Sequence, residues 1–223
     1  MTKTEQLNSL FKEWQAKYPC YKDRFIRDGI VNENSWGSVV KRKTLFLLKD
    51  TNDKYYQSLS PSRKNAYGDD IRKMLDDEPW KEIGYLSYGL QNTAKSLLPS
   101  FEDAAKNVTE ASRQSAVMNL KKAPGKSYAN PKEILESAKQ QKEEIEKEIQ
   151  IIYPDIIVLG GIGTILKEIF SHRQLGERVY SFNIGSQEFL TVDFVHPQAR
   201  VGDDILYYSL AAIFQRYLIT EKA

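Results

Sequence analysis

Four short apolar runs stand out along the chain: residues 45–48 (LFLL), 115–120 (SAVMNL), 155–163 (DIIVLGGIG) and 190–195 (LTVDFV). Runs of this length are too short for buried helices and suit strands covered on both faces. The stretches between them carry helical spacing. Leu7, Leu10, Phe11 and Trp14 predict a covering helix over residues 4–17, ended by Tyr18 and Pro19. Residues 21–40 hold Gly29, Asn32, Asn34 and Gly37 with little periodicity, and read as a loop with room for one short strand. Pro61 opens a polar helix to about Asp76, and Pro79-Trp80 starts another that carries Ile83, Leu86 and Leu90. Pro131 begins a long helix to about Tyr153, striped by Ile134, Ala138, Ile145, Ile149 and Ile152. A helix over residues 164–170 and a last one to about Leu218, capped by Asp203 or Asp204, complete the order.

Strands separated by helices predict an α/β fold: a three-layer α/β/α sandwich around a central four-stranded parallel sheet. A length of 223 residues suits one such domain, with residues 1–40 as an N-terminal helix and loop extension. A hydrophobic content of 41% with 28% charged residues is ordinary for a soluble protein, and a net charge of +2 permits contact with nucleic acid without demanding it. One cysteine, Cys20, excludes an internal disulfide and a Cys-based zinc cluster. The N-terminus lacks the apolar region of a signal peptide, and no segment is apolar enough to span a membrane, so a cytoplasmic protein is expected.

In open parallel sheets, ligands bind outside the carboxyl ends of the strands. Here the first run ends in Lys49, Asp50, Thr51 and Asn52, the second in Asn119, Lys121 and Lys122, and the fourth in His196-Pro197. Asp50, Asn119 and His196 are therefore expected to converge on one edge. Taken singly, Asp50 and Asn52 also suit an Asx-type turn leaving a strand. The glycines of residues 155–163 lack the third glycine and the acidic partner of a dinucleotide fingerprint.

The order of these features resembles the uracil-DNA glycosylase superfamily. The stretch LKDTN puts Asp50 on that family's catalytic acid, AVMNLKK puts Asn119 on its base-reading Asn, and HPQAR puts His196 on its catalytic His and Arg200 on its wedge position. The resemblance spans residues 43–200. Thr51 replaces the Pro of the first motif, Asn52 stands where the uracil-specific branch has its thymine-excluding Tyr, and Gln198-Ala199 replaces Ser-Pro. Neither the base nor the branch follows from these motifs.

The resemblance implies a monofunctional DNA glycosylase that flips a uracil or another deaminated or modified base out of DNA, works without cofactor or metal, and acts as a monomer. Asp50 would stabilise the sugar cation and orient water. His196 would stabilise the leaving base. Asn119 offers one donor and one acceptor to a base edge, with Lys49 and Asn52 beside it. Tyr85 or Tyr88 would stack on the flipped base or simply pack in the core. Lys121, Lys122, Arg200 and Gln198 would contact DNA, each lysine being equally readable as surface charge. The competing readings are a nucleic-acid-binding or interaction protein that keeps the fold without turnover, and a hydrolase of free nucleosides.

Overall fold

The computed structural model describes residues 1–38, 40–51, 60–125 and 130–221. Helix α1 (Lys3–Lys17) starts at a capping box between Thr2 and Glu5, and buries Leu7, Leu10, Phe11 and Trp14. Strand β1 (Gly29–Ile30), helix α2 (Glu33–Gly37) and strand β2 (Thr44–Leu48) follow. Then come α3 (Pro61–Tyr67), α4 (Ile71–Asp77), α5 (Lys81–Asn92), α6 (Phe101–Lys106), α7 (Val108–Arg113) and β3 (Ser115–Asn119). The rest of the chain forms α8 (Pro131–Gln140), α9 (Lys142–Ile152), β4 (Ile156–Gly160), α10 (Gly163–Ile169), β5 (His172–Gly176), β6 (Val179–Ile184), β7 (Gln187–Phe194) and α11 (Asp203–Thr220).

The α/β architecture matches the expectation, but the sheet is larger than four strands and mixed. Seven strands lie in the order β1-β3-β2-β4-β7-β6-β5. β3, β2, β4 and β7 run parallel to one another in the middle. β1 is antiparallel on one edge, and β6 and β5 extend the other edge as antiparallel ribbons. The added strands lack apolar runs for a physical reason: β1 has two residues, and β5 is half-exposed, with His172, Arg173 and Gln174 in solvent. Successive residues of the central strands point to opposite faces. Leu45, Leu47, Ala116, Met118, Ile157 and Leu159 pack against α1, α8, α9 and α10, while Phe46, Leu48, Val117 and Val158 pack against α4, α5 and α11.

Several predicted helices are cut or capped differently. The polar helix after Pro61 breaks at Gly68 (φ 56°) and restarts where the Asp70 carboxylate accepts from the Arg72 backbone N–H. The long helix after Pro131 breaks at Gln141, whose side-chain oxygen accepts from Trp14 Nε1 at 2.6 Å and Tyr21 Oη at 2.7 Å. Gly202, not Asp203 or Asp204, occupies the cap of α11; the two acids lie in its first turn and favour it through the helix dipole. Within residues 1–40, α1 covers one core face and β1 pairs with β3 in the sheet. Among the described residues no helix is long and apolar enough to cross a membrane.

Lys122 is fully buried, which rules out the phosphate contact expected of it. Its ammonium lies 2.5 Å from Asp28 Oδ1 and 2.7 Å from Glu148 Oε2, both carboxylates also at zero exposure. Burial alone would lower the Lys122 pKa, but the two carboxylates outweigh it and raise the value. Burial pushes the Glu148 carboxyl well above the usual 4.5. Removing one partner of a buried ion pair is costly because the remaining charge stays desolvated. Lys122→Met is therefore expected to lower the unfolding free energy by about 3–5 kcal/mol in chemical denaturation. Because the folded protein holds the Glu148 proton more tightly than the unfolded chain, wild-type stability should fall as pH rises from 4.5 toward the raised value. Glu148→Gln should lack that fall, and superimposable pH profiles for the two proteins would contradict a raised Glu148 pKa.

Candidate active site

The carboxyl ends of the central strands open into a cleft of about 560 Å³, lined among others by Leu48, Asp50, Thr51, Trp80, Asn119, His196 and Gln198. Register brings these together. Leu48 pairs with Asn119 at the ends of β2 and β3, and the two chains continue side by side, with Leu120 N–H on Leu48 O and Lys121 N–H on Lys49 O, both at 3.0 Å. The Gly125 N–H then donates to Thr51 O at 2.7 Å, so the Asp50 side chain packs flat against Gly125. A Cβ at residue 125 would lie 2.0 Å from Asp50 Oδ2. On the other side, a Cβ at Gly160 would meet Leu48 Cδ2 at 2.4 Å and Pro197 Cδ at 3.3 Å, so the bare backbone lets the His196-Pro197 turn close over β4.

Burial raises the Asp50 carboxyl above its usual range, although Lys121 and Lys49 pull it down. Burial also lowers the His196 imidazole below 6.5, with Lys49 adding to the effect. The Gln198 backbone N–H donates to His196 Nδ1 at 3.1 Å, so Nδ1 carries no proton and the neutral ring holds its hydrogen on Nε2. The Trp80 ring lies 6.0 Å from the His196 ring, and its Nε1 is buried without a hydrogen-bond partner among the described residues. Both hydrogens of the Asn119 amide are engaged within the protein, on Asp28 Oδ2 at 3.2 Å and Thr51 Oγ1 at 3.3 Å.

Of the residues singled out in the sequence, Asp50, Asn119, His196 and Gln198 line the cleft. Lys49 is not on its wall but acts on both Asp50 and His196. Lys121 is half-buried and 3.9 Å from the Glu133 carboxylate, and Arg200 is exposed, beyond the cleft wall. Asn52 lies outside the described residues. Tyr85 and Tyr88 do not line the cleft: Tyr85 packs on Phe101 at 4.9 Å, in a groove against α11, and Tyr88 lies further along α5, half-buried. The cleft aromatic is Trp80, at the cap of the same helix. His172 stacks on Phe182 at 5.2 Å. Sequence reasoning also missed Thr51 as a wall residue and Asp28 behind Asn119. The sequence signal for Trp80 was its place directly after Pro79 at a helix start; Asp28 sits in a stretch without periodicity and gave none.

No protein-family model and no curated protein matches the chain. Among the described residues, no group of three or more His, Cys, Asp or Glu could hold a metal ion. Because the Lys49 charge disfavours imidazolium at His196, Lys49→Met should move the His196 midpoint upward toward 6.5 in an NMR titration of the ring. An unmoved midpoint would place Lys49 out of electrostatic reach.

Proposed function

We propose that this cleft hydrolyses the N-glycosidic bond of a deaminated or otherwise modified base in DNA, as a divergent relative of the uracil-DNA glycosylase superfamily. The observation that carries the reading is the pairing, in one cleft, of a half-buried carboxylate, Asp50, with a neutral imidazole, His196, whose proton is on Nε2. Breaking the bond sends its electron pair out with the base and leaves positive charge on the sugar. Asp50 stabilises that cation and orients the water that adds to C1′. His196 Nε2–H donates to the base oxygen where negative charge grows. The water's proton ends on the released base or in solvent, so the balance needs no other reactant. Trp80 offers the face on which a flipped base stacks, in place of the tyrosines expected from the sequence. Lys49, Lys121 and Arg200 supply positive charge near this edge for phosphate.

The test is alkali cleavage of labelled oligonucleotides, single- and double-stranded, carrying uracil, hypoxanthine, xanthine or mismatched thymine. Asp50→Asn should lower turnover roughly a hundredfold to ten-thousandfold with DNA binding retained, and His196→Ala roughly a hundredfold to a thousandfold. Activity should fall as pH drops through the raised Asp50 value and stay level above 6.5, since His196 acts in its neutral form. A loss of rate above 6.5 would point instead to an imidazolium donor. DNA binding without cleavage of any substrate would favour a protein that keeps the fold and has lost turnover.

A further inference from the structure

Asp28 meets the base-reading position from behind. Its carboxylate has zero exposure and is held by the Lys122 ammonium through Oδ1. Its Oδ2 accepts the Asn119 backbone N–H at 2.7 Å and the Asn119 Nδ2 at 3.2 Å. An ionised carboxylate only accepts, so the Asn119 amide must turn its nitrogen toward Asp28. The reverse orientation would set Asn119 Oδ1 against Oδ2 at the same 3.2 Å, too close for a water to lie between them, and an unsatisfied buried contact of this kind is strongly unfavourable. Thr51 Oγ1 takes the second amide hydrogen. Among the described residues nothing donates to Asn119 Oδ1, and Asn119 lines the cleft. The side chain that resembles a two-point reader of a base edge therefore has one free point, an acceptor.

Resting on the glycosylase reading, we infer that Asp28 and Thr51 are positioning residues that make Asn119 a single-acceptor reader, so the site selects bases by a ring N–H and leaves the neighbouring exocyclic atom unread. Deamination of cytosine and adenine creates this feature: cytosine N3 and adenine N1 are acceptors, whereas uracil N3 and hypoxanthine N1 carry hydrogen; guanine N1 carries hydrogen before deamination and is not distinguished by it. An unmodified cytosine or adenine would bring a lone pair against Asn119 Oδ1. Thymine carries the same ring N–H as uracil, so this acceptor places mismatched thymine within the substrate class.

The test uses binding by the Asp50→Asn protein, so that leaving-group chemistry does not enter. Oligonucleotides carry one uracil, one 4-thiouracil, whose sulfur is a poor acceptor, one 3-deazauracil, whose N3–H is a C–H, or cytosine. Uracil and 4-thiouracil should bind within about threefold of each other, and 3-deazauracil and cytosine roughly tenfold more weakly, the value of one hydrogen bond. Equal weakening by 4-thiouracil and 3-deazauracil would overturn the inference, because the amide would then also donate; equal binding of all four would overturn it by removing Asn119 from recognition. In Asp28→Asn the amide is free to turn and donate to a ring nitrogen, so the preference for uracil over cytosine should shrink. An unchanged preference in that folded variant would contradict the positioning role. Should it not fold, Thr51→Val frees one amide hydrogen at less cost and should introduce a preference for uracil over 4-thiouracil; no such preference would count against the inference. Failure of the glycosylase reading looks different: wild type releases no base, and Asp50→Asn binds uracil DNA no better than undamaged DNA.

Discussion

The buried carboxylate of Asp28 joins parts of the chain that the sheet alone does not hold together. It lies just before β1, pairs with Lys122 beyond the end of β3, and shares that lysine with Glu148 on α9. An unpaired charge at this depth would cost several kcal/mol, so the folded chain must keep all three groups in contact. The same carboxylate also takes the Asn119 backbone and side chain. A stability constraint in the core thus becomes a geometric constraint on the cleft. Asn119 cannot turn without disturbing the charge cluster, and the cluster cannot relax without releasing the end of β3.

The parallel strands supply the other half of the arrangement. β2, β3, β4 and β7 point their carboxyl ends the same way, so residues far apart in sequence leave the sheet at one edge. Backbone hydrogen bonds carry the β2–β3 register past the strand ends and keep Asp50 beside the chain that follows Asn119. Desolvation then acts on the two titrating groups in opposite directions, raising the acid and lowering the imidazole. A carboxylate and a neutral imidazole donor are the pair that the proposed cleavage of an N-glycosidic bond uses.

The parts of this arrangement that the sequence displayed are those with a local cause. Strands buried on both faces must be apolar, so β2, β3 and β4 read as runs, and the polar residue that ends a run marks the edge. Asp50, Asn119 and His196 were visible for that reason. Of the antiparallel strands, β1 falls in the stretch with room for one short strand, and β5 was not visible because its residues are polar and face solvent. Lys121 and Lys122 look alike in sequence, yet one is half-buried beside Glu133 and the other lies under Phe11 and Trp14, covered by α1. The exchange of Tyr85 and Tyr88 for Trp80 has a similar origin: which side of α5 meets the cleft depends on its packing against α6 and α11. Asp28 was silent because its role exists only once β1 lies against β3.

The most direct measurement is mass spectrometry of the bases released from DNA treated with nitrous acid, which deaminates cytosine, adenine and guanine without choosing the substrate beforehand. Wild-type protein should release a free base bearing a ring N–H and leave abasic sites in uncut strands, and the Asp50→Asn protein should release none. Release of no base by the wild type, or equal release by both proteins, would contradict a glycosylase built on Asp50.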